Sequence, residues 1–354
     1  MKKQKYLLNF LLIFSLTALV LWLALKDNYK QVIEAISQMN MVWLAIILLW
    51  GALFTVVWGF VYYVLGKKYV SDYTPAKGII ISFVGTFFSG ITPSSTGGQF
   101  AQAYIMKKQG IKVSDGASLL WADFIIYQTT MMLYVTILFA MKYSYYSAQS
   151  AWFKLILVGY LINAVVIVAL YTMALFPELY IRLAGFFAKI LGKFRIVKDP
   201  KKILDSWTLQ MTSFTGEIKR LSHDKKRIVI CVFINFVRLT LYYSLPFVIG
   251  KALHIPLHFS QFLDVIALSS FVMMANSFIP IPGASGGTEA VFVLLFGSMM
   301  SPLTSAVMVL WRFSTYHFVL LIGGILFVLV KNYYTKKERK FDSIDMMDTK
   351  RGVE

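Results

Sequence analysis

Four charged residues lie inside apolar stretches of the sequence, where a charge needs a partner. Asp123, Arg238, Glu289 and Arg312 each interrupt a segment that is otherwise suited to a membrane interior. An unpaired charge at such a depth costs several kcal/mol, so it pairs with another charge or lines a wet cavity. The sequence leaves two interpretations open. The residues form fixed ion pairs between helices, or the arginines meet an anion such as a phosphate that the carboxylates replace when the site is empty.

A short motif of proline, two residues, a hydroxyl residue and two glycines occurs twice. The first motif occupies residues 93–98 and the second occupies residues 282–287, 189 positions later. Proline and paired glycines break a helix, and a helix that restarts inside a membrane presents free N–H groups that favour an anion. The same glycines would also permit a tight bend with close helix packing, so this alternative stays open.

The candidate binding residues come from both motifs and from the buried charges. They are Pro93, Ser94, Ser95, Thr96, Gly97, Gly98, Gln99, Asp123, Arg238, Pro282, Gly283, Ser285, Gly286, Gly287, Glu289, Arg312 and Tyr316.

The composition indicates an all-α polytopic membrane protein. Hydrophobic residues make up 58% of the 354 positions and charged residues only 15%. Several uncharged runs are long enough to cross a bilayer. The net charge of +18 is explained by basic loops that stay in the cytoplasm, so no nucleic-acid partner is predicted. The single cysteine, Cys231, cannot form an internal disulfide.

The apolar runs predict six full spans and two helical hairpins. The run at 7–25 is treated as a retained anchor and not a signal peptide, because no small-residue cleavage pattern follows it. The hairpins are runs divided by the two motifs. The predicted spans are 7–25, 42–65, 116–141, 155–176, 228–250 and 303–330, and the hairpins are 78–106 and 261–296. Aromatic residues of the second span, including Trp58 and Tyr62, are interpreted as interfacial anchors.

The basic residues predict the orientation of these elements. Lysines flank the first hairpin on both sides, at 67–68 and 107–112, so that hairpin enters and leaves on the cytoplasmic side. Six crossings from a cytoplasmic N-terminus return the basic tail to the cytoplasm and make the second hairpin enter from the outside. The two hairpins are therefore predicted to be re-entrant and oppositely directed.

The chain divides into segments that suggest an inverted-topology repeat. At the offset of 189, Asp123, Phe124 and Tyr127 correspond to Arg312, Phe313 and Tyr316. The segment at 177–227 carries twelve basic and five acidic residues and is predicted to lie on anionic lipid. The predicted segments are an anchor and outer loop (1–41), a first repeat (42–141), a connecting span (142–176), a basic cytoplasmic linker (177–227), a second repeat (228–330) and a basic cytoplasmic tail (331–354).

Three other chemistries have partial sequence signals. The second motif contains a GxSxG pattern, but the strand that a nucleophile elbow needs is not predicted there. His254 and His258 are four apart, but Pro256 between them disrupts a helical metal-binding face. The sequence also contains no phosphate-binding GxxxxGK[ST] motif. We therefore predict no catalytic residue, metal or cofactor.

Both motifs resemble those of the flippase-like transmembrane family, best known as the membrane region of lysylphosphatidylglycerol synthase. The resemblance rests on ITPSSTGGQ at 91–99, IPIPGASGGTE at 279–289, and Trp311-Arg312-Phe313 followed by Tyr316. It implies a lipid-translocating module without the soluble aminoacyl-transferase domain. Many relatives carry an acidic residue and an arginine where this chain has Gln99 and Gln102, so a role for that charged pair is not carried over.

These observations together predict a flippase of a bacterial-type inner membrane. Its substrate would be an anionic or aminoacylated phospholipid, or a related lipid-linked headgroup, and it could act as a homo-oligomer. Two alternatives stay open, namely a component of phosphatidylglycerol lysylation and a scaffold for cell-envelope assembly.

Overall fold

The fold is that of a computed structural model. The structure describes residues 37–92, 97–141, 150–193, 199–276 and 287–351, together with 30, 33, 34 and 143. The predicted first span at 7–25 lies outside the described residues, as do residues 93–96 of the first motif and residues 282–286 of the second.

The described regular structure is entirely helical, as predicted. In chain order the α-helices are α1 (Met41–Gly66), α2 (Pro75–Ile91), α3 (Gly97–Lys108), α4 (Val113–Met141), α5 (Ser150–Leu175), α6 (Pro177–Lys193), α7 (Pro200–His223), α8 (Lys225–Ala252), α9 (Phe262–Asn276), α10 (Gly287–Met300), α11 (Thr304–Arg312) and α12 (Phe318–Arg351). A π turn at Phe313–His317 joins α11 to α12.

Among the described residues, five helices are long and apolar enough to cross a membrane. They are α1, α4, α8, the Ile156–Leu175 part of α5, and the continuous helix Thr304–Tyr334. These helices confirm five of the predicted spans. The shorter helices lie in the two predicted hairpin runs, α2 and α3 in the first and α9 and α10 in the second. In the sequence, each motif lies at the junction between the two short helices of its run. The protein is therefore a multi-pass membrane protein.

Local sequence signals set several helix starts. The Asn40 side chain accepts a hydrogen bond of 2.8 Å from the Val42 N–H and so caps α1. Pro75 begins α2, where its missing N–H needs no partner. Asp224 caps α8 through the Arg227 N–H.

Glycines let α1 lie very close to its neighbours. A Cβ added at Gly59 would lie 2.5 Å from the Cα of Ile79 in α2, and one at Gly51 would lie 2.7 Å from the backbone of Ser314 in the π turn. No side chain fits at either point. The helix α1 also packs along α8, and the Trp50 indole N–H donates to the Leu241 carbonyl at 3.0 Å.

The start of α2 and the end of α3 meet beside the end of α1. The Tyr73 hydroxyl donates to Oε1 of Gln109, whose Nε2 donates to the Lys77 carbonyl at 3.0 Å. Burial raises the pKa of the Tyr73 phenol above its ordinary value, so the phenol stays a neutral donor at physiological pH. Tyr73 also packs against Gly66, the last residue of α1.

A cavity of about 340 Å³ lies at the opposite end of α1. Its lining includes Met39 just before α1, Leu253 and His254 just after α8, and Pro302 and Leu303 between α10 and α11. The residues that follow α8 and those that connect α10 to α11 therefore lie at the opposite end of α1 from the start of α2.

The segment predicted as a basic linker forms α6 and α7, which pack against each other. Phe214 of α7 is fully buried, and its ring lies 5.0 Å from that of Trp121 near the start of α4. Other apolar side chains of the two helices remain exposed, among them Leu179, Leu183, Phe186, Phe187, Trp207 and Leu209.

Candidate functional site

The first buried charge, Asp123 of α4, is surrounded by donors from α1. Its Oδ2 accepts a hydrogen bond of 2.9 Å from the Tyr62 hydroxyl. The Trp58 indole N–H is shared between Oδ2 at 3.0 Å and Oδ1 at 3.2 Å. Asp123 is only 6% exposed, so these neutral donors replace water around the carboxylate.

A third helix extends this network. Nε2 of Gln102 in α3 donates to the Tyr62 hydroxyl at 2.8 Å, which completes a chain from Gln102 through Tyr62 to Asp123. The Gln102 amide lies against Gly85 of α2, where a Cβ would overlap it. A glycine at position 85 is therefore needed for the chain to form.

The second buried charge, Arg238 of α8, lies in an aromatic cage. Its guanidinium carbon is 4.4 Å from the ring centroids of Phe54 and Trp58 and 4.6 Å from that of Tyr127. One terminal nitrogen donates to Oδ1 of Asn235 at 3.2 Å. Nε is buried and has no hydrogen-bond partner among the described residues.

Trp58 contacts both of these charges. Its N–H points at the Asp123 carboxylate while its ring faces the Arg238 guanidinium. Within the part of the chain that the structure describes, no ion pair within 4.0 Å joins Asp123 to Arg238. We refer to Trp58, Tyr62, Gln102, Asp123 and Arg238 as the Asp123 cluster.

The other two buried charges pair directly. Nε of Arg312 in α11 donates to Oε1 of Glu289 in α10 at 2.8 Å, and both side chains are almost completely buried. The ring of Tyr316 lies 4.7 Å from the Arg312 guanidinium. We refer to Glu289, Arg312 and Tyr316 as the Arg312 cluster.

The Arg312 cluster is tied to the end of α2. The Tyr316 hydroxyl donates to the Gly90 carbonyl at 3.0 Å, one residue before α2 ends. Tyr316 belongs to the π turn, in which the hydroxyls of Ser314 and Thr315 both donate to the Trp311 carbonyl. The π turn thus positions Tyr316 between Arg312 and the end of α2.

The glycines of the first motif already have partners within the chain. The Gly97 N–H donates to Oγ1 of Thr92 at 2.9 Å, and that hydroxyl donates in turn to the Phe88 carbonyl. A Cβ at Gly98 would overlap the Ser89 side chain and lie 2.8 Å from the Gly85 carbonyl. Close packing of α2 on α3 therefore accounts for Gly98, as the alternative interpretation expected.

The remaining candidate residues divide into three groups. Gln99 is exposed and separate from both clusters, unlike Gln102 one turn later. Gly287 is the first residue of α10, two positions before Glu289. Pro93, Ser94, Ser95, Thr96, Pro282, Gly283, Ser285 and Gly286 lie outside the described residues.

Sequence reasoning missed most partners of the buried charges. The interpretation of Trp58 and Tyr62 as interfacial anchors is wrong, because both donate to Asp123 and Tyr62 is only 1% exposed. Phe54, Trp58 and Tyr62 recur every four residues on one face of α1, and this periodicity was the available signal. Asn235 lies three residues before Arg238 in the predicted span 228–250, and this helical spacing was the signal for their hydrogen bond.

The fold and the two clusters define a multi-pass helical membrane protein with charged sites inside its transmembrane region. Residues 7–323 match the family described as the lysylphosphatidylglycerol synthase TM region, and the chain belongs to that family. The resemblance inferred from the two motifs is thereby confirmed. A UPF0104 membrane protein of Archaeoglobus fulgidus is 24% identical over 263 residues, which is 73% of this chain and 78% of that protein. No solved structure matches this chain.

Proposed function

We propose that this protein is a lipid flippase that moves an anionic or aminoacylated phospholipid, or a related lipid-linked headgroup, between the leaflets of a cell membrane. The observation that carries the proposal is the state of Arg238. A buried guanidinium in a membrane span is costly unless an anion accompanies it. Arg238 has a free Nε and no carboxylate within ion-pair distance among the described residues. A headgroup phosphate matches the donor geometry of a guanidinium and would bring an anion into direct contact with Arg238.

The proposal includes an inverted repeat, with the helices from α1 to α4 corresponding to those from α8 to α12. Helix contacts support this correspondence. The packing of α1 on α11 corresponds to that of α8 on α4, and the packing of α2 on α12 corresponds to that of α9 on α4. Tyr127 and Tyr316, which are 189 positions apart, each place a ring against a buried arginine. Repeats of this kind let a transporter alternate its access around a central site.

Helix lengths support two re-entrant hairpins that reach the middle of the membrane. The 12 residues of α3 and the 14 residues of α10 correspond to about 18 and 21 Å of helix, more than half of a hydrocarbon core of about 30 Å. The start of α2 and the connection from α10 to α11 lie at opposite ends of α1. In the proposed arrangement the two pairs therefore enter from opposite faces.

The orientation in the proposal follows from the distribution of lysines. Lys67, Lys68, Lys77, Lys107 and Lys108 lie at the end of α1 where the α2–α3 pair opens. We place this end in the cytoplasm, together with the basic tail. The exposed apolar residues of α6 and α7, interspersed with basic ones, support contact with anionic lipid at the same face.

Transport can be tested in vesicles that contain phosphatidylglycerol with a fluorescent label. A membrane-impermeant reductant bleaches only the label in the outer leaflet, so bleaching beyond that of protein-free vesicles measures translocation. We expect translocation by the wild-type protein and its loss in Arg238→Gln. Arg227→Gln is the matched control, because Arg227 lies on the same helix but pairs with Asp224 at its start. Equal translocation by folded Arg238→Gln and wild-type protein would contradict the assignment of Arg238.

A second candidate function is participation in phosphatidylglycerol lysylation. The observation that favours it is the description of the family, which names the membrane region of a lysylphosphatidylglycerol synthase. The purified chain, incubated with lysyl-tRNA and phosphatidylglycerol, separates the two functions. Lysylated lipid would support the enzyme, whereas translocation without product supports the flippase. If the chain forms no lysylated lipid and moves no lipid, a non-transporting scaffold is the remaining explanation.

A further inference from the structure

We propose that Asp123 is a proton-binding site that couples the movement of an anionic headgroup to a proton gradient. This inference rests on the proposed function and adds its source of energy. It starts from the fact that Asp123, although buried in a membrane span, is held by neutral donors, and that no residue described by the structure forms a fixed ion pair with it.

The chain from Gln102 to Asp123 can satisfy either protonation state. With Asp123 ionised, Gln102 donates to Tyr62 and Tyr62 donates to Asp123, as observed. With Asp123 protonated, its new O–H can donate to the Tyr62 hydroxyl, which can donate to the Gln102 amide oxygen after a flip of that amide. Apart from the exchange of the Gln102 amide oxygen and nitrogen, the heavy atoms keep their positions, and the hydroxyl of Tyr62 and the carboxyl of Asp123 stay hydrogen-bonded to each other. The Trp58 N–H continues to donate to Oδ1, the carboxyl oxygen that Tyr62 does not bind.

The surroundings of Asp123 contain one charge that responds to substrate. Among the described residues, four titratable groups interact electrostatically with the carboxylate, namely Tyr62 of α1, Tyr127 of α4, and Cys231 and Arg238 of α8. Phenols and thiols with ordinary proton affinities are neutral at pH 7, which leaves Arg238 as the charged member. Gln102, the residue of α3 in the network, does not titrate.

Binding of a phosphate at Arg238 would change the electrostatic balance. In the empty site, the Asp123 carboxylate and the Arg238 guanidinium offset each other through Trp58. A phosphate adds a second negative charge to the same apolar region, where like charges repel strongly. Asp123 then takes a proton from water on the side that is open. The proton returns to water on the other side when the phosphate leaves, so one proton and one anionic headgroup cross together without net charge.

The test uses the wild-type protein in vesicles with labelled phosphatidylglycerol and a pH difference across the membrane. Coupling of one proton per lipid shifts the steady-state leaflet distribution about tenfold per pH unit, towards the alkaline side. The result does not depend on the orientation of the protein in the vesicle, because the equilibrium distribution of the lipid is set by the pH difference alone. A proton carrier that collapses the gradient abolishes it. Asp123→Asn should abolish the accumulation, so that any lipid it moves is distributed between the leaflets without regard to the pH difference.

Asp115→Asn is the matched control, because it makes the same change in the first turn of the same helix, and it should accumulate lipid like the wild type. Infrared difference spectra between acid and alkaline samples give a readout without transport. We expect a protonated-carboxyl band that Asp123→Asn removes. Absence of this band, or gradient-driven accumulation that survives Asp123→Asn, would overturn the inference.

The outcomes separate the inference from the proposed function. Lipid translocation that does not depend on the pH difference would support the flippase function and refute the coupling to protons. If the Asp123 carboxyl band depends on pH but the protein moves no lipid under any condition, the flippase function is refuted, whereas proton binding at Asp123 is supported.

Discussion

The Asp123 cluster and the Arg312 cluster stabilise buried charges by different means. Arg312 is neutralised by a carboxylate at 2.8 Å from a neighbouring helix. Asp123 and Arg238 are instead solvated by an indole, a phenol, an amide and aromatic rings. A direct ion pair is strong only while both partners stay in place, whereas neutral donors tolerate a change of charge. The comparison suggests that the Arg312 cluster holds helices together and that the Asp123 cluster changes state.

Glu289→Ala should have the largest effect on stability. It removes the carboxylate that Nε of Arg312 binds, and loss of one partner of a buried pair costs about 3–5 kcal/mol. Thermal unfolding of the purified protein in a single detergent measures this loss. Glu289→Gln keeps an acceptor and should unfold between Glu289→Ala and the wild type. An unchanged unfolding temperature for Glu289→Ala would remove the proposed difference between the clusters.

Trp58→Phe sharpens the description of the Asp123 cluster. It keeps a ring near Arg238 but removes the N–H that Asp123 accepts, at a cost of about 1.5–3 kcal/mol for a hydrogen bond to a charge. In an Asp123→Asn background the same change should cost only about 1 kcal/mol, since the acceptor is then neutral. A double-mutant cycle of unfolding free energies gives the difference. Equal costs in the two backgrounds would show that Trp58 stabilises the protein through packing alone.

Gly98→Ala tests whether close packing places α3 beside the Asp123 cluster. The new methyl group would press on the Gly85 carbonyl and on Ser89, which should cost about 1–3 kcal/mol. Gly297→Ala is the control within the α9–α10 pair, because nothing lies within 4 Å of a Cβ there. Its unfolding temperature should match the wild type or exceed it. Similar destabilisation by both changes would contradict a packing role specific to Gly98.

Thr92→Val should have the smallest effect of the four. It removes the hydroxyl that accepts from the Gly97 N–H, and a lost cap of this kind costs about 1 kcal/mol. Hydrogen exchange at the Gly97 amide should accelerate, while Thr92→Ser should protect it like the wild type. Unchanged protection in Thr92→Val would mean that this N–H has another acceptor.

The sequence predicted the spans well because their signal is local. Long apolar runs correspond to α1, α4, α5, α8 and the final helix, and the end of α2 before the first motif follows from proline and glycine. The four buried charges were also recognisable, since a charge within an apolar run stands out. These predictions need only hydrophobicity and helix propensity.

The partners of those charges could not be predicted in the same way. Whether Arg238 meets Asp123, or the rings of Phe54 and Tyr127, depends on how α1, α4 and α8 rotate against one another. The roles of Gly97 and Gly98 likewise depend on which side chains of α2 face α3. Such rotations are set by packing over the whole helix bundle, and a single sequence does not encode them locally.

The π turn at Phe313–His317 has a consequence for comparing the two halves of the chain. A π turn holds more residues than an α-helical turn, so it inserts an extra residue into an otherwise regular helix. In the proposed repeat, the offset of 189 makes Tyr127 and Tyr316 equivalent. On that proposal, the positions of the final helix beyond His317 are shifted by one residue relative to α4. An alignment of the proposed halves without a gap would then pair the wrong faces of the two helices.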